Sequence, residues 1–480
     1  MPVQSIDLNI RTEEARFERR PAAASRRRLW AVLDTLLCFV AMFGVGASLA
    51  PDYRQVRSNA YVATDFKTLY ASVDLYREGR EAYDVDGLVS VFRRDRVVEP
   101  ETWFGRKPVY PPVTLALFSP LSRLPMGTAA IVWWILSLLA TGGALAFLLR
   151  EARAQQLNLM WRLALLGVAA GSPLLAFSLD IGNVSAFAAA LTTMAWMLAI
   201  RPFGNGDAAA REKLFAFSVF MGGFALAMAL TIKPHLAFWV MLGLALAGRR
   251  AGRWIAGVAT LFFGFVCLGW AVVSMMGGKL GGVVHSYSAV LRLEQTTGSM
   301  SPCSREVLWV GAQICSLRML FSPWWWGGGT IALLLLIAGL LLAASRGRVR
   351  RVSTEGTLLF VSAIAGFGLI ATYHRTHDGV VLLPWLLWVC LRLRELWRGR
   401  TNGWRHMGQA AWLGAALVLY ALTWIAFPQT FLRMLGEWPW LADWLNLRQA
   451  ALAYLLLAGW MAVTAARQAY GAGRGGDGRR

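Results

Sequence analysis

Charge is scarce in this chain, and acidic charge is scarcer. Only 16% of the 480 residues are charged, and Lys and Arg outnumber Asp and Glu by 48 to 27. A soluble domain carries about 25% charged residues. Cysteine is scarce too: five in all, with no spacing that reads as a zinc site or a disulfide framework. Cys38, Cys267 and Cys390 fall inside apolar runs, where a thiol packs as a small apolar group. Cys303 and Cys315 share one polar loop and are expected to pair if it faces an oxidising compartment. There is no Walker loop, dinucleotide-binding glycine pattern or Gly-x-Ser-x-Gly elbow. Their absence argues against ATP-driven pumps and soluble-type hydrolases. No internal repeat is visible.

What the chain has is hydrophobicity: 57% of its residues are apolar. Runs at 29–49, 326–344 and 408–427 reach the roughly 20 residues that cross about 30 Å of hydrocarbon. Hydropathy places further spans near 127–149, 159–178, 184–200, 214–232, 235–248, 254–275, 356–373, 379–396 and 449–466. The expectation is an all-α polytopic membrane protein of about 12 transmembrane helices. Residues 1–28 and 468–480 form basic cytoplasmic tails around a transmembrane domain at 29–467, with polar loops at 50–107 and 276–322. Run 29–49 exceeds the ~7–15 residues of a signal-peptide core and reads as an uncleaved span. The net charge of +21 lies mostly at the ends of apolar runs. The positive-inside rule accounts for it without nucleic acid.

Orientation turns on residues 110–124, an apolar stretch that is short and broken by Pro111, Pro112 and Pro120. If it does not cross, the Arg clusters at 150–153, 201–213, 249–253, 346–351 and 392–405 all lie inside with both termini. It therefore reads as re-entrant or interfacial, packed on protein or a water-filled cavity. Five polar features then share the outer side: the loop with Asp65, Tyr110-Pro111-Pro112, Asp180-Ile181-Gly182-Asn183, Lys233-Pro234-His235, and the turn from Tyr373 to Asp378.

These features hold the candidate chemistry. Phe66, Leu69, Tyr70, Val73 and Tyr76 recur at helical spacing, which predicts an amphipathic helix on the membrane surface in the first outer loop. Thr64 would cap it, placing Asp65 in the first turn, where the helix dipole favours a carboxylate. Such a carboxylate suits removal of a proton from a hydroxyl. Lys233, at the end of one span, suits a phosphate. His374, Arg375, His377 and Asp378 fall within five residues, which suits a phosphate leaving group or proton transfer. Tyr110 and Asn183 are further substrate-binding candidates. No metal set or cofactor is expected, and the residues do not decide a divalent-metal requirement. Asp34, inside the first span, is expected to reach back to Arg26, Arg27 and Arg28.

In order along the chain, Thr64-Asp65-Phe66, Gly79-Arg80-Glu81-Ala82-Tyr83, Tyr110-Pro111-Pro112, Gly182-Asn183-Val184-Ser185, Ile232-Lys233-Pro234 and His377-Asp378 resemble glycosyltransferase family 87 over about residues 60–390. The resemblance implies a GT-C-like bundle in the plasma (inner) membrane. It implies a polyprenyl-phosphate sugar donor, often mannose, and an outward-facing lipid or glycan acceptor. It also implies Asp65 as catalytic base and His377 near the donor phosphate. Asp378 departs from the pattern, standing where an aromatic residue or a second His is usual. The competing readings are a transporter or lipid flippase, and a non-catalytic assembly factor. A transporter would favour inverted repeats and polar groups at mid-membrane. The topology predicts that reporter fusions at residues 1 and 480 both score as cytoplasmic. A periplasmic signal at either end would overturn it.

Overall fold

The computed structural model describes residues 4–56, 62–97, 109–201, 208–247, 249–296, 314–315, 354–371, 374–398, 404–423 and 452–465. Side chains at 4–28, 292–296, 314–315, 371, 374–377 and 404–406 are outside the description. The described chain is almost wholly helical. The helices are α1 (Gln4–Arg54), α2 (Thr64–Arg77), α3 (Val85–Arg94), α4 (Pro112–Phe118), α5 (Met126–Ala154), α6 (Leu159–Ala170), α7 (Pro173–Asp180) and α8 (Val184–Ile200). Then come α9 (Ala208–Ile232), α10 (Pro234–Leu246), α11 (Arg250–Met276), α12 (Leu280–Thr296), α13 (Thr354–Ala371), α14 (Leu383–Trp397), α15 (Trp404–Leu422) and α16 (Leu452–Ala465). A two-residue antiparallel pair joins β1 (Ile314–Cys315) to β2 (His374–Arg375), and a 3-10 turn covers Thr376–Leu382.

Four helical stretches are long and apolar enough to cross a membrane: Leu29–Arg54, Met126–Ala154, Ala208–Ile232 and Arg250–Met276. α6 and α7 make a fifth if counted as one span, bent by 42° where Gly171, Ser172 and Pro173 interrupt it. Large apolar side chains such as Phe43 and Phe265 are 77% and 69% exposed, as lipid-facing residues are. The protein is a multi-pass membrane protein.

The count of about twelve full spans is not reached among the described residues. The expected spans near 184–200, 235–248, 356–373, 408–427 and 449–466 appear as shorter apolar helices. The one near 379–396 begins as a 3-10 turn, and 325–345 lies outside the described residues. Hydropathy counts apolar residues whether they face lipid or protein. Almost every side chain of α8 is buried against α5, α9, α10 and α11, so its hydrophobicity serves packing. Its alanines let neighbours approach closely. Gly223 does the same for α9: a Cβ there would sit 2.3 Å from Val258 on α11.

Two local expectations need correction. α2 is not an amphipathic surface helix. Lys67, Thr68, Ser72 and Asp74 are buried along with its apolar residues, because α3, α4 and α5 enclose it. The described residues 62–97 pack as folded protein, and the buried Asp74 is held by Arg77 at 2.9 Å and Arg94 at 2.5 Å. Asp34, in turn, is paired with Arg162 of α6 and with Arg153 of α5 at 3.1 Å. The side chains of Arg26, Arg27 and Arg28 are outside the description. α4 has seven residues, about 10 Å of helix, and is too short to cross by itself. Cys303 lies outside the described residues and Cys315 is described only in its backbone, so their pairing is not addressed.

The Asp34–Arg162 pair ties α1 to α6 with both side chains buried. Removing one partner leaves an uncompensated charge, which costs about 3–5 kcal/mol. Asp34→Ala should therefore sharply lower the thermal midpoint of the detergent-solubilised protein. Asp34→Leu combined with Arg162→Met should lower it less than Asp34→Ala does. A double variant weaker than the single would contradict this account.

Candidate active site

The site is built where the start of α2 docks on the turn between α7 and α8. A helix leaves its first N–H groups without partners. At α2 no side chain caps them: Ala63 precedes the helix in the left-handed region at φ 51°, and Thr64 is already helical. The expected Thr64 cap is replaced by backbone. The Ala63 N–H donates to the Asp180 carbonyl, and the Asp65 N–H donates to the Ile181 carbonyl, both at 2.9 Å. Gly182 makes the approach possible. Its φ is +64°, and a Cβ there would meet Phe66 Cβ at 2.9 Å and Ala63 Cα at 3.3 Å. Trp133 of α5 closes the joint, its Nε1–H donating to the Gly182 carbonyl at 3.1 Å while its ring stacks against Phe66.

Asp65 is the only residue of 62–75 that is not buried. Its Oδ2 accepts from Asn183 Nδ2 at 2.5 Å. Asn183 is the N-cap of α8, its Oδ1 accepting the Ser185 N–H at 2.7 Å. Beyond Asn183 lies a buried polar cluster. Lys233 sits at the break between α9 and α10, where Pro234 starts the new helix. Its ammonium donates to Ser185 Oγ and Asp378 Oδ1, each at 2.5 Å, and reaches Asn183 Oδ1 at 3.4 Å. Ser185 Oγ also contacts Asn183 Oδ1 and Asp378 Oδ1. Lys233 and Asp378 are 7% and 2% exposed, so this ion pair lies inside protein.

Asp65, Asn183, Lys233 and Asp378, drawn from four distant segments, thus form one continuous hydrogen-bonded chain. Tyr110 stands beside it on a neighbouring element: its carbonyl accepts from Tyr83 at 2.8 Å, and α4, which follows, is tied to α9 by Thr114 donating to the Thr231 carbonyl at 2.7 Å. His374, Arg375 and His377 are described in backbone only. They lie just before Asp378, with His374 and Arg375 opposite Cys315 and Ile314. Sequence reasoning passed over Ser185 as a site residue. It stood in the Gly182-Asn183-Val184-Ser185 motif, where Asn before an apolar run also has the pattern of a helix cap. Among the described residues no group of His, Cys, Asp and Glu could hold a metal ion.

Two electrostatic features frame the cluster. Lys67, two residues beyond Asp65, is buried, and burial pulls its ammonium down to about 8. Described arginines of the Arg-rich segments lie at the opposite end of the bundle. Arg249 donates to the Ile200 carbonyl at 2.6 Å, at the far end of α8 from Asn183, and Arg394 donates to the Gln155 carbonyl at 2.7 Å. The 17 residues of α8 separate the two ends by about 25 Å.

Residues 109–373, more than half of the chain, match the family model of glycosyltransferase family 87. The chain belongs to glycosyltransferase family 87. Membership makes it a glycosyltransferase, so the transporter and assembly-factor readings fall. No curated protein and no solved structure matches it. Asn183, Ser185 and Lys233 lie within the matched stretch, while Asp65 and Asp378 lie outside it. The fold joins these two to the family 87 residues.

Gly182→Ala tests the joint. A left-handed backbone costs a residue with a Cβ about 1–2 kcal/mol, and the new methyl would also push Phe66 and the start of α2 away. Thermal midpoint and transfer rate should both fall. A variant with wild-type values for both would show that the close approach is not required.

Proposed function

We propose that this glycosyltransferase transfers a hexose, with mannose the first candidate, from a polyprenyl-phosphate donor to an outward-facing lipid or glycan acceptor. Transfer inverts the anomeric centre, and Asp65 is the general base. The acceptor hydroxyl gives its proton to Asp65 as its oxygen attacks the anomeric carbon. The bond from that carbon to the phosphate oxygen breaks, and polyprenyl phosphate leaves with the electron pair.

The observation that carries this reading is the state of Asp65. It is the one accessible residue on an enclosed helix start, with Oδ2 held by Asn183 and Oδ1 without a hydrogen bond to any described residue. A carboxylate held on one side and open on the other is arranged to accept a proton. Lys233 is one amide away from it. An ammonium close to the departing phosphate stabilises the charge that develops there. Lys233 is already paired with Asp378, so His374, Arg375 and His377, adjacent in sequence, are proposed to complete the phosphate contacts. The placement of the site at the end opposite the Arg-rich loops supports an outer active site with both termini cytoplasmic. A lipid-linked donor brings its phosphate to headgroup level and needs no nucleotide-binding domain.

The test is transfer from a panel of radiolabelled polyprenyl-phosphate sugars by purified wild type and Asp65→Asn. Loss of a general base costs about 10²–10⁴-fold in rate. Asp65→Asn should show that loss at unchanged thermal stability while still binding donor. Activity within about threefold of wild type would remove Asp65 as the base.

A further inference from the structure

We propose that Asn183 is a positioning residue for the base: its amide holds one oxygen of Asp65 and aims the other, and the start of α8 locks the amide itself. This rests on the reading of Asp65 as base.

The two ends of the Asn183 side chain are chemically distinct, and the backbone decides which faces where. The Ser185 N–H meets one end at 2.7 Å. A backbone N–H only donates, so that end has to be the oxygen. The Lys233 ammonium, also a pure donor, approaches the same atom at 3.4 Å. The remaining end is therefore the NH₂ group, and it meets Asp65 Oδ2 at 2.5 Å. A donor aimed at a carboxyl oxygen favours the ionised form. It also holds that oxygen still, so the proton from an acceptor goes to the other.

The distance between base and amide is set by backbone rather than by long side chains. The Asp65 N–H is bonded to the Ile181 carbonyl, two residues before Asn183. Asn183 is 6% exposed, so water does not compete for its hydrogen bonds. Capping α8 does not by itself require an amide, because Asp caps a helix as well as Asn does. The requirement for Asn comes from the Asp65 side.

Asn183→Asp separates the two roles. One oxygen of the new carboxylate keeps the Ser185 N–H, so α8 stays capped. The other faces Asp65 Oδ2 with no proton between them. Two carboxylates so placed share one proton, and one of them titrates at a much higher pH. Lys233 and the Ser185 N–H favour charge at position 183, so the shared proton resides on Asp65 and the base is occupied.

The experiment compares full-length wild type, Asn183→Asp and Asp65→Asn. The pH dependence of kcat/KM is measured with radiolabelled polyprenyl-phosphate mannose and extracted membrane lipids as acceptors. The carboxyl stretch is titrated by infrared spectroscopy without substrate. Asn183→Asp should keep its thermal midpoint and lose about tenfold or more at pH 7. Its acidic limb should move up by at least about one pH unit, with most of the rate regained at alkaline pH. The infrared titration should show a carboxyl band persisting above its wild-type pH. Wild-type rates with an unmoved limb would overturn the proposal, as would a rate lost equally at every pH in a folded protein. Should Asp65→Asn retain activity, the base reading fails, while the infrared titration still reports whether Asn183 controls ionisation at Asp65.

Discussion

Two backbone hydrogen bonds, from Ala63 to Asp180 and from Asp65 to Ile181, hold the α2 segment to the bundle at the candidate site. They satisfy N–H groups that a helix start otherwise leaves open, in a place enclosed by protein where water cannot serve. Once they form, Asp65 lies against Asn183 without further adjustment. Gly182 and Trp133 are the conditions for that contact. One supplies the backbone turn and the missing Cβ, the other the cover.

The polar cluster beyond Asn183 imposes a second constraint. A buried ammonium and a buried carboxylate are tolerated only when paired and hydrogen-bonded. Lys233, Ser185, Asn183 and Asp378 satisfy one another across the α9–α10 break, the start of α8 and the 3-10 turn before α14. A shift of any of these elements would break a hydrogen bond of this buried cluster. The cluster therefore specifies one relative placement of the three. The same placement puts the Lys233 ammonium one amide away from the accessible Asp65 carboxylate.

The bundle keeps its two ends chemically distinct. One end carries the hydrogen-bonded site, and the other gathers guanidinium groups on helix-terminal carbonyls. Between them, α8 is lined by alanines and enclosed by other helices. Asp34, with Arg153 and Arg162, ties α1 to this frame through charge rather than apolar packing alone.

The membrane class and the α5, α9 and α11 spans were legible in the sequence, because long apolar runs and clustered Arg residues follow from the bilayer's own dimensions and charge asymmetry. The family was legible as well, in short motifs kept in order. Periodicity misjudged α2, where Lys67, Thr68, Ser72 and Asp74 are buried like its apolar residues, since a helix's own pattern does not say what covers its second face. Hydropathy likewise does not separate a helix that faces lipid from one that faces protein, and the count of about twelve spans is not reached among the described residues. Which groups meet was beyond the sequence: Asp34 found Arg162 at a separation of 128 residues, and Lys233 found Asp378 at 145. Ser185, named only within the Gly182-Asn183-Val184-Ser185 motif, became the meeting point of Lys233 and Asp378. Such pairings depend on how helices pack across the bundle, and no local propensity encodes that distance. The sequence by itself therefore determined the class, the family and the long spans. The tertiary structure alone decided that Asn183 stands between the carboxylate and the ammonium, because that contact exists only where the starts of α2, α8 and α10 converge.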